Sequence, residues 1–194
     1  VHQTTDTPTN YFSILSQLQP YGSSVFTFRD AGTQFVGTQG NAWRIVTGSL
    51  AVTTGKYYYE VEINTSSANN SYSIGWTSTN NMPASIWTTY LGDAVVGPAL
   101  GLAKDGQLNY STSSAANQAS TGYTSYSNGG DIVMCAIDLD NNYAYWGKNG
   151  TWMKSGDPES GSTGTGGFAF DNAAGYDWLP AFGSSETASG STIH

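Results

Sequence analysis

Two glutamates on one strand are the residues whose type and spacing could support catalysis. Glu60 and Glu62 lie in "KYYYEVEINT", where alternation places both side chains on one face, about 7 Å apart. Glycoside hydrolysis needs two facing carboxylates at roughly 5–9 Å, and this spacing meets that requirement. The same alternation turns them away from the aromatic side of the strand, so a solvated sheet face is the expected role. We predict that the chain is not an enzyme and keep a glycan-active hydrolase as the weakest hypothesis.

The sequence lacks the residues that other catalytic and metal-binding patterns require. A nucleophilic triad needs a positioned histidine, but His2 and His194 stand at the two ends of the sequence. The stretch "DLDNN" lacks the glycine and glutamate that an EF-hand loop requires at its sixth and twelfth positions. Zinc is not expected, because Cys135 is the only cysteine. We predict no catalytic residue, no metal and no cofactor.

The charge pattern excludes two classes of partner. The net charge is −8, and the six basic residues are scattered singly along the chain. A phosphate backbone requires a basic stripe, so nucleic acid is not expected as a partner. No apolar run approaches the ~20 residues of a membrane-spanning helix, so we also predict no membrane insertion.

Exposed aromatic residues in two loop segments are the candidate binding residues. Trp87 and Tyr90 fall in "NNMPASIWTTYLGD", and Tyr123 and Tyr126 fall in "AANQASTGYTSYSNGG". Neither segment alternates cleanly, and aromatic side chains on loops stack on sugar rings or anchor partner proteins. We predict that these four residues bind a ligand. The alternative is that they plug the open end of the fold.

The elements that must position these residues are strands. Alternating runs separated by turn signals such as "KDG", "DNN" and "KNG" predict an all-β protein, an antiparallel two-sheet β-sandwich. Within it, "DIVMCAIDLD" is apolar on both faces and is expected to be an inner strand. We predict an N-terminal arm with leading strands over residues 1–47, and the main sandwich over residues 48–194.

Five blocks in order resemble the SPRY domain family. They are "GKYYYEVEI" (55–63), "SIGWTS" (73–78), "GPALGLAKDGQLNY" (97–110), "GDIVMCAIDLDNNYAYWGKNGTW" (130–152) and "WLPAF" (178–182). The resemblance implies a bent β-sandwich, related in architecture to concanavalin-like lectins, that binds partners through loops at one end and usually catalyses nothing. The sequence after "WLPAF" lacks the family's final strand with an Asn-Phe-Gly-like run. We therefore expect the C-terminal strand to be missing, or to be supplied by a longer chain.

A second resemblance is narrower. The opening "VHQTTDTPTNYFSIL" and the segment "KNGTWMKSGDPESGSTGTGGFAF" are similar to SPRY-type modules of bacteriophage structural proteins. This likeness implies a virion structural or adhesion module of tail, fibre or capsid, exposed on the virion surface. Its expected partners are other virion proteins, further copies of itself, and a host surface glycan or receptor. The alternative is a cellular, cytoplasmic SPRY adaptor for protein–protein interaction.

Overall fold

The computed structural model describes residues 13–16, 26–37, 43–64, 72–78, 90–92, 98–112, 118–126, 129–172, 175–184 and 190–193. Within these residues the chain forms two antiparallel sheets, and no α-helix. The larger sheet contains, in spatial order, β1 (Phe26–Arg29), β2 (Gln34–Gly37), β14 (Gly190–Ile193), β4 (Lys56–Ile63), β9 (Ile132–Asp138), β10 (Tyr143–Lys148) and β11 (Thr151–Trp152), with β12 (Phe168–Ala169) also paired to β10. The smaller sheet contains β3 (Arg44–Thr47), β13 (Trp178–Ser184), β5 (Tyr72–Ser78), β6 (Ala99–Ala103), β7 (Leu108–Ser111) and β8 (Gln118–Ser120). The predicted β-sandwich is confirmed.

Alternation along β4 decides which residues enter the core. Tyr59, Val61 and Ile63 are buried between the sheets, while Tyr58 on the opposite face is 51% exposed. Tyr57 belongs to the inward set by alternation, yet it is 42% exposed because it lies near the beginning of the strand. The two faces of β4 are therefore as predicted from Tyr58 onward.

The predicted turns form where the sequence places them. Gly106 in the β6–β7 turn has a φ of 86°, and Asn149 and Gly150 in the β10–β11 turn have φ of 50° and 81°. Asn142 in the β9–β10 turn also has a positive φ, 61°. Asparagine and glycine tolerate this left-handed conformation better than other residues, so these turns fix the register of the hairpins.

Aromatic side chains fill the space between the sheets. Trp76 on β5 and Trp146 on β10 are each 1% exposed, as predicted for core residues. The indole Nε1 of Trp146 donates a hydrogen bond to the main-chain oxygen of Ile74 at 3.0 Å, so it links the larger sheet to the smaller one. A buried indole needs such a partner, and here the partner is a strand carbonyl.

The segment between β11 and β12 covers part of the outer face of the larger sheet. Tyr145 points to that face but is only 1% exposed. A Cβ added at Gly167 would lie 2.7 Å from the Tyr145 ring, so the backbone of this segment lies directly on the ring. Lys56 joins the sheet to the same segment, because its Nζ contacts Asp138 at 3.0 Å and the Pro158 oxygen at 3.3 Å.

The described residues before position 48 pack with the two sheets of the sandwich. The strands β1 and β2 lie in the larger sheet and β3 lies in the smaller one. Leu15 is fully buried, its N–H donates to the Gly32 oxygen at 2.8 Å, and the N–H of Ser16 donates to the Thr47 oxygen at 2.8 Å. The part of the predicted arm that the structure describes thus docks on the domain's own strands. Residues 1–12 lie outside the described residues.

The sequence after "WLPAF", where the C-terminal strand was expected to be missing, contains the strand β14. β14 lies between β2 and β4, with Ser191 opposite both Phe35 and Ile63. The segment "GSTI" shows no strong apolar alternation. It forms a strand because the slot between β2 and β4 offers unpaired backbone N–H and C=O groups on both sides, and pairing satisfies them.

Candidate binding pocket

Small residues on the outer face of the smaller sheet let a loop lie directly against it. A Cβ added at Gly101 of β6 would be 2.5 Å from the Leu91 oxygen and 2.8 Å from the Leu91 Cβ. Ser73 of β5 donates from its Oγ to the same Leu91 oxygen at 3.3 Å. Leu91 is fully buried and packs with Ile45 and other outer-face residues in a second, small apolar cluster. This contact fixes the position of the neighbouring residue Tyr90.

Tyr90 and Trp43 form the aromatic wall of a pocket. Their ring centroids are 5.7 Å apart and the rings meet edge to face at 62°. Trp43 precedes the edge strand β3, and its ring would be 3.4 Å from a Cβ at Gly183, so it lies over β13. The pocket has a volume of about 340 Å³ and is lined by Trp43, Tyr72, Ser73, Tyr90, Ala103, Lys104, Asp105, Gln107 and Asn109.

The β6–β7 turn supplies the polar side of the pocket. The turn is closed by hydrogen bonds from Ala103 N–H to the Gln107 oxygen at 2.8 Å and from Gln107 N–H to Asp105 Oδ1 at 3.0 Å. Gln107 and Asn109 follow at alternate positions and face the pocket with Lys104. The pocket therefore combines two aromatic rings with amide and hydroxyl groups and one charge of each sign, which suits a ligand with both an apolar group and hydrogen-bonding groups.

The structure separates the four predicted binding aromatics. Tyr90 lies in the pocket. Trp87 lies outside the described residues. Tyr126 is fully buried, and its hydroxyl donates to the Leu102 oxygen at 2.5 Å. Burial raises the pKa of Tyr126 well above its ordinary value. Tyr126 is thus a plug of the sandwich, the alternative role considered above, and it offers no surface to a ligand.

Tyr123 is engaged within the fold. Its ring packs edge to face against Trp146, with centroids 5.8 Å apart, and the Nζ of Lys154 lies 4.1 Å from its centroid. Burial raises the pKa of Tyr123 to about 12. A half-buried ring with one side against an indole and an ammonium over its face is a structural contact, so Tyr123 does not join Tyr90 in the pocket.

The sequence reasoning missed Trp43, Gln107 and Asn109. Trp43 was overlooked because "NAWRIV" looks like the start of a strand, although its position beside an edge strand leaves it on the outer face. Gln107 and Asn109 follow the "KDG" turn at alternate positions. This polar alternation is the sequence feature that places both side chains on one face of the strand.

The two glutamates considered for catalysis lie away from the pocket. Glu60 and Glu62 lie on the outer face of the larger sheet, and neither lines the pocket. Among the described residues, no three His, Cys, Asp or Glu side chains are grouped to hold a metal ion.

The thiol of Cys135 is fully buried, and burial raises its pKa even though Tyr59 lies within hydrogen-bonding reach. No described helix is long and apolar enough to cross a membrane.

Comparison with known proteins identifies the fold and the family. The family model for the SPRY domain matches residues 56–193. The crystal structure of the SPRY domain of human HERC1 superposes with a TM-score of 0.61 and 17% sequence identity, over 87% of this chain and 91% of that chain. No curated protein sequence matches this chain significantly. Neither match supports the narrower likeness to bacteriophage modules. The match over residues 56–193 confirms the wider resemblance, and the chain belongs to the SPRY domain family.

Proposed function

We propose that this chain is a protein-binding module that holds a side chain of a partner protein in the Trp43–Tyr90 pocket. The observation that carries the proposal is the pocket itself, which places two half-buried aromatic rings beside three polar side chains of one hydrogen-bonded turn. Protein interfaces depend on a few buried anchor residues seated in such pockets. A volume of about 340 Å³ is at the small end for a ligand site and fits one large side chain or one sugar ring.

The family supports binding over catalysis. SPRY domains are in general interaction modules that bind other proteins. A catalytic role is therefore not part of the proposal. The adaptor alternative has more support than the virion hypothesis, because the family match supports a protein-interaction module. Virion localisation, contact with other virion proteins and homo-oligomerisation stay predictions from the sequence.

The chemistry of the pocket favours a neutral glycan as the second candidate ligand. Sugar rings stack on aromatic side chains, and their hydroxyls need a set of neutral donors and acceptors. Ser73, Gln107 and Asn109 provide such groups beside the Trp43 and Tyr90 rings. This candidate is the one expected for a module that attaches a particle to a host surface.

A peptide selection with matched variants tests the first candidate. A random peptide library displayed on phage would be selected against the wild-type chain, and the recovered peptides measured by calorimetry against Tyr90→Ala and Gln107→Ala. We expect at least about tenfold weaker binding with either variant, because each removes a group that contacts the ligand. Tyr57→Ala is the matched control, since it removes an exposed tyrosine from a different part of the surface.

The outcomes separate the two ligands. Peptides that bind the pocket variants as tightly as the wild type would contradict the proposal. If no peptide is recovered while an array of neutral glycans binds the wild type and not Tyr90→Ala, the glycan candidate replaces the peptide. A peptide that no longer binds the Tyr57→Ala variant would show that the binding site lies outside the pocket.

A further inference from the structure

A second aromatic surface lies on the outer face of the larger sheet, separate from the pocket. We call it the Tyr58–Trp152 face and define it by Tyr58, Glu60 and Glu62 of β4, Ile132 of β9 and Trp152 of β11. Register brings these residues together across four strands, because Glu60 is opposite Met134, Met134 is opposite Gly147, and Gly147 is opposite Trp152. The face is thus formed by the most regular part of the sandwich.

Gly147 allows the indole of Trp152 to lie across the sheet. A Cβ at Gly147 would be 3.1 Å from Cε3 of Trp152 and 3.0 Å from the sulfur of Met134. Without that atom the indole covers β10 and reaches β4, where its ring centroid is 5.9 Å from that of Tyr58 at an interplanar angle of 71°. Met134 beneath is only 7% exposed. The indole is therefore held in place by the strands on which it lies.

Tyr58 presents an aromatic ring to solvent beside a carboxylate. The residue is 51% exposed, and its hydroxyl donates a hydrogen bond to Oε1 of Glu60. Glu62 follows two residues later on the same face of β4. The face thus combines the exposed ring of Tyr58 with the half-buried Trp152, Glu60 and Glu62, and neither carboxylate belongs to the pocket.

The lysines that adjoin this face in sequence each contact another group of the described structure. Lys56 pairs with Asp138 at 3.0 Å, and Lys148 pairs with Asp131 at 3.1 Å. Lys154, which follows Trp152 closely, places its Nζ over the ring of Tyr123. The ammonium groups adjoining the face in sequence are thus engaged elsewhere.

We propose that the Tyr58–Trp152 face is a second docking surface that takes an arginine side chain of a partner protein, with the guanidinium on the aromatic rings and its N–H groups directed to Glu60 and Glu62. A guanidinium is planar, weakly hydrated and has five donors, so it can stack on a ring and bind carboxylates together. A lysine ammonium is a strongly hydrated point charge and satisfies only part of this arrangement. The proposal does not depend on what the Trp43–Tyr90 pocket binds.

Charge excludes a second copy of the chain as the occupant. A two-fold contact through this face would bring Glu60 and Glu62 of both copies together, and each chain has a net charge of −8. Like charges brought into contact destabilise an interface. A basic segment of another protein is complementary to the same surface.

An NMR titration with a defined probe tests the proposal. The ¹⁵N-labelled chain would be titrated with a synthetic peptide of four Arg-Gly repeats, and with matched peptides in which lysine or uncharged citrulline replaces arginine. The indole N–H signals of Trp152 and Trp43 would be assigned from the Trp152→Phe and Trp43→Phe variants. We expect the arginine peptide to shift the Trp152 indole and the amides of Glu60 and Glu62, and to leave the Trp43 indole unchanged.

Charge-matched variants distinguish a site from general attraction. The Glu60→Gln/Glu62→Gln double variant should bind the arginine peptide at least about tenfold more weakly, because both charge-assisted contacts are lost. The Asp30→Asn/Asp177→Asn double variant removes the same charge from exposed positions elsewhere and should bind like the wild type. The citrulline peptide should not bind. The spectra themselves show whether each variant is folded.

Three results would overturn the proposal. Equal weakening in both double variants would mean that only the overall negative charge attracts the peptide. A shift of the Trp43 indole without one at Trp152 would place arginine binding in the pocket instead. Equal affinity of the lysine and arginine peptides would show that stacking of the guanidinium on the rings does not contribute to binding.

Discussion

Tyr59 of β4 donates its hydroxyl to the main-chain oxygen of Gly75 on β5 at 2.5 Å, so one side chain of the larger sheet is hydrogen-bonded to the backbone of the smaller sheet. The Tyr59 ring also packs edge to face against Trp76 and Phe182, at centroid distances of 5.0 and 5.4 Å. Burial raises the pKa of Tyr59, so the hydroxyl remains a donor at physiological pH. The two sheets are held in one alignment by this contact as well as by apolar packing.

The Tyr59→Phe substitution should lower the free energy of unfolding by about 1–2 kcal/mol, because it leaves the ring in place and removes the donor for the Gly75 oxygen. Urea denaturation followed by tryptophan fluorescence measures the change. Tyr57→Phe, which removes the same hydroxyl from a 42% exposed side chain, should stay within about 0.5 kcal/mol of the wild type. Equal effects of the two substitutions would show that the intersheet hydrogen bond contributes nothing to stability.

Gly75 itself should not accept a side chain. A Cβ at this position would lie 2.0 Å from the main-chain oxygen of Leu100 on the neighbouring strand β6. Backbone cannot move aside as a flexible side chain can, so Gly75→Ala should cost about 3 kcal/mol in unfolding free energy. The matched control is Gly183→Ala, where the nearest atoms are 3.4 Å away and a change within about 1 kcal/mol is expected. A stable Gly75→Ala variant would contradict the strand spacing described here.

Asp138 should make stability fall in acid. It is 1% exposed and accepts hydrogen bonds from the N–H groups of Asp140 and Asn141 at 3.1 and 3.0 Å. Burial opposes its charge, but hydrogen bonds from Asn141 and Lys56 outweigh that effect, so the pKa of Asp138 lies below its ordinary value. The stability from this lowered pKa is present above the unfolded-state pKa, about 4, and is lost as the pH falls through the lower folded-state pKa.

Thermal unfolding across the pH range tests this expectation. The Asp138→Asn variant should be about 1–3 kcal/mol less stable than the wild type at neutral pH, and the difference should shrink below about pH 4. Asp177→Asn, at an exposed position, is the control, and its stability should depend on pH in the same way as that of the wild type. A constant difference between Asp138→Asn and the wild type at every pH would mean that the charge of Asp138 has no role.

Asn149 combines a backbone and a side-chain requirement in the β10–β11 turn. Its φ is 50°, its Oδ1 accepts from the N–H of Ile132 at 2.8 Å, and its Nδ2 donates to Asp131 at 3.1 Å. Asn149→Gly keeps the conformation accessible but loses both hydrogen bonds, at about 1–2 kcal/mol. Asn149→Ala should cost about 1 kcal/mol more, because alanine also opposes the left-handed φ. Chemical denaturation of both variants separates the contribution of the hydrogen bonds from that of the left-handed backbone conformation. Equal losses of stability in the two variants would mean that only the hydrogen bonds contribute.

The sequence by itself determined the local features of this protein. The alternation of β4 from Tyr58 to Ile63 predicted which side chains enter the core, because successive side chains of a strand point to opposite faces. The turns at Asn142 and Asn149 were predicted because their conformation depends on the residues within the turn. The all-β sandwich follows from several such local signals that agree with one another.

Only the tertiary structure decided the binding surface and the closing strand. Trp43, Tyr90 and Asn109 meet in one pocket although they belong to three distant segments. Tyr126 resembled an exposed loop aromatic, but it is buried and its hydroxyl donates to the Leu102 oxygen of β6. β14 is a strand because β2 and β4 leave a slot that its backbone fills. Each of these outcomes depends on pairing between residues far apart in the chain, which no local pattern encodes.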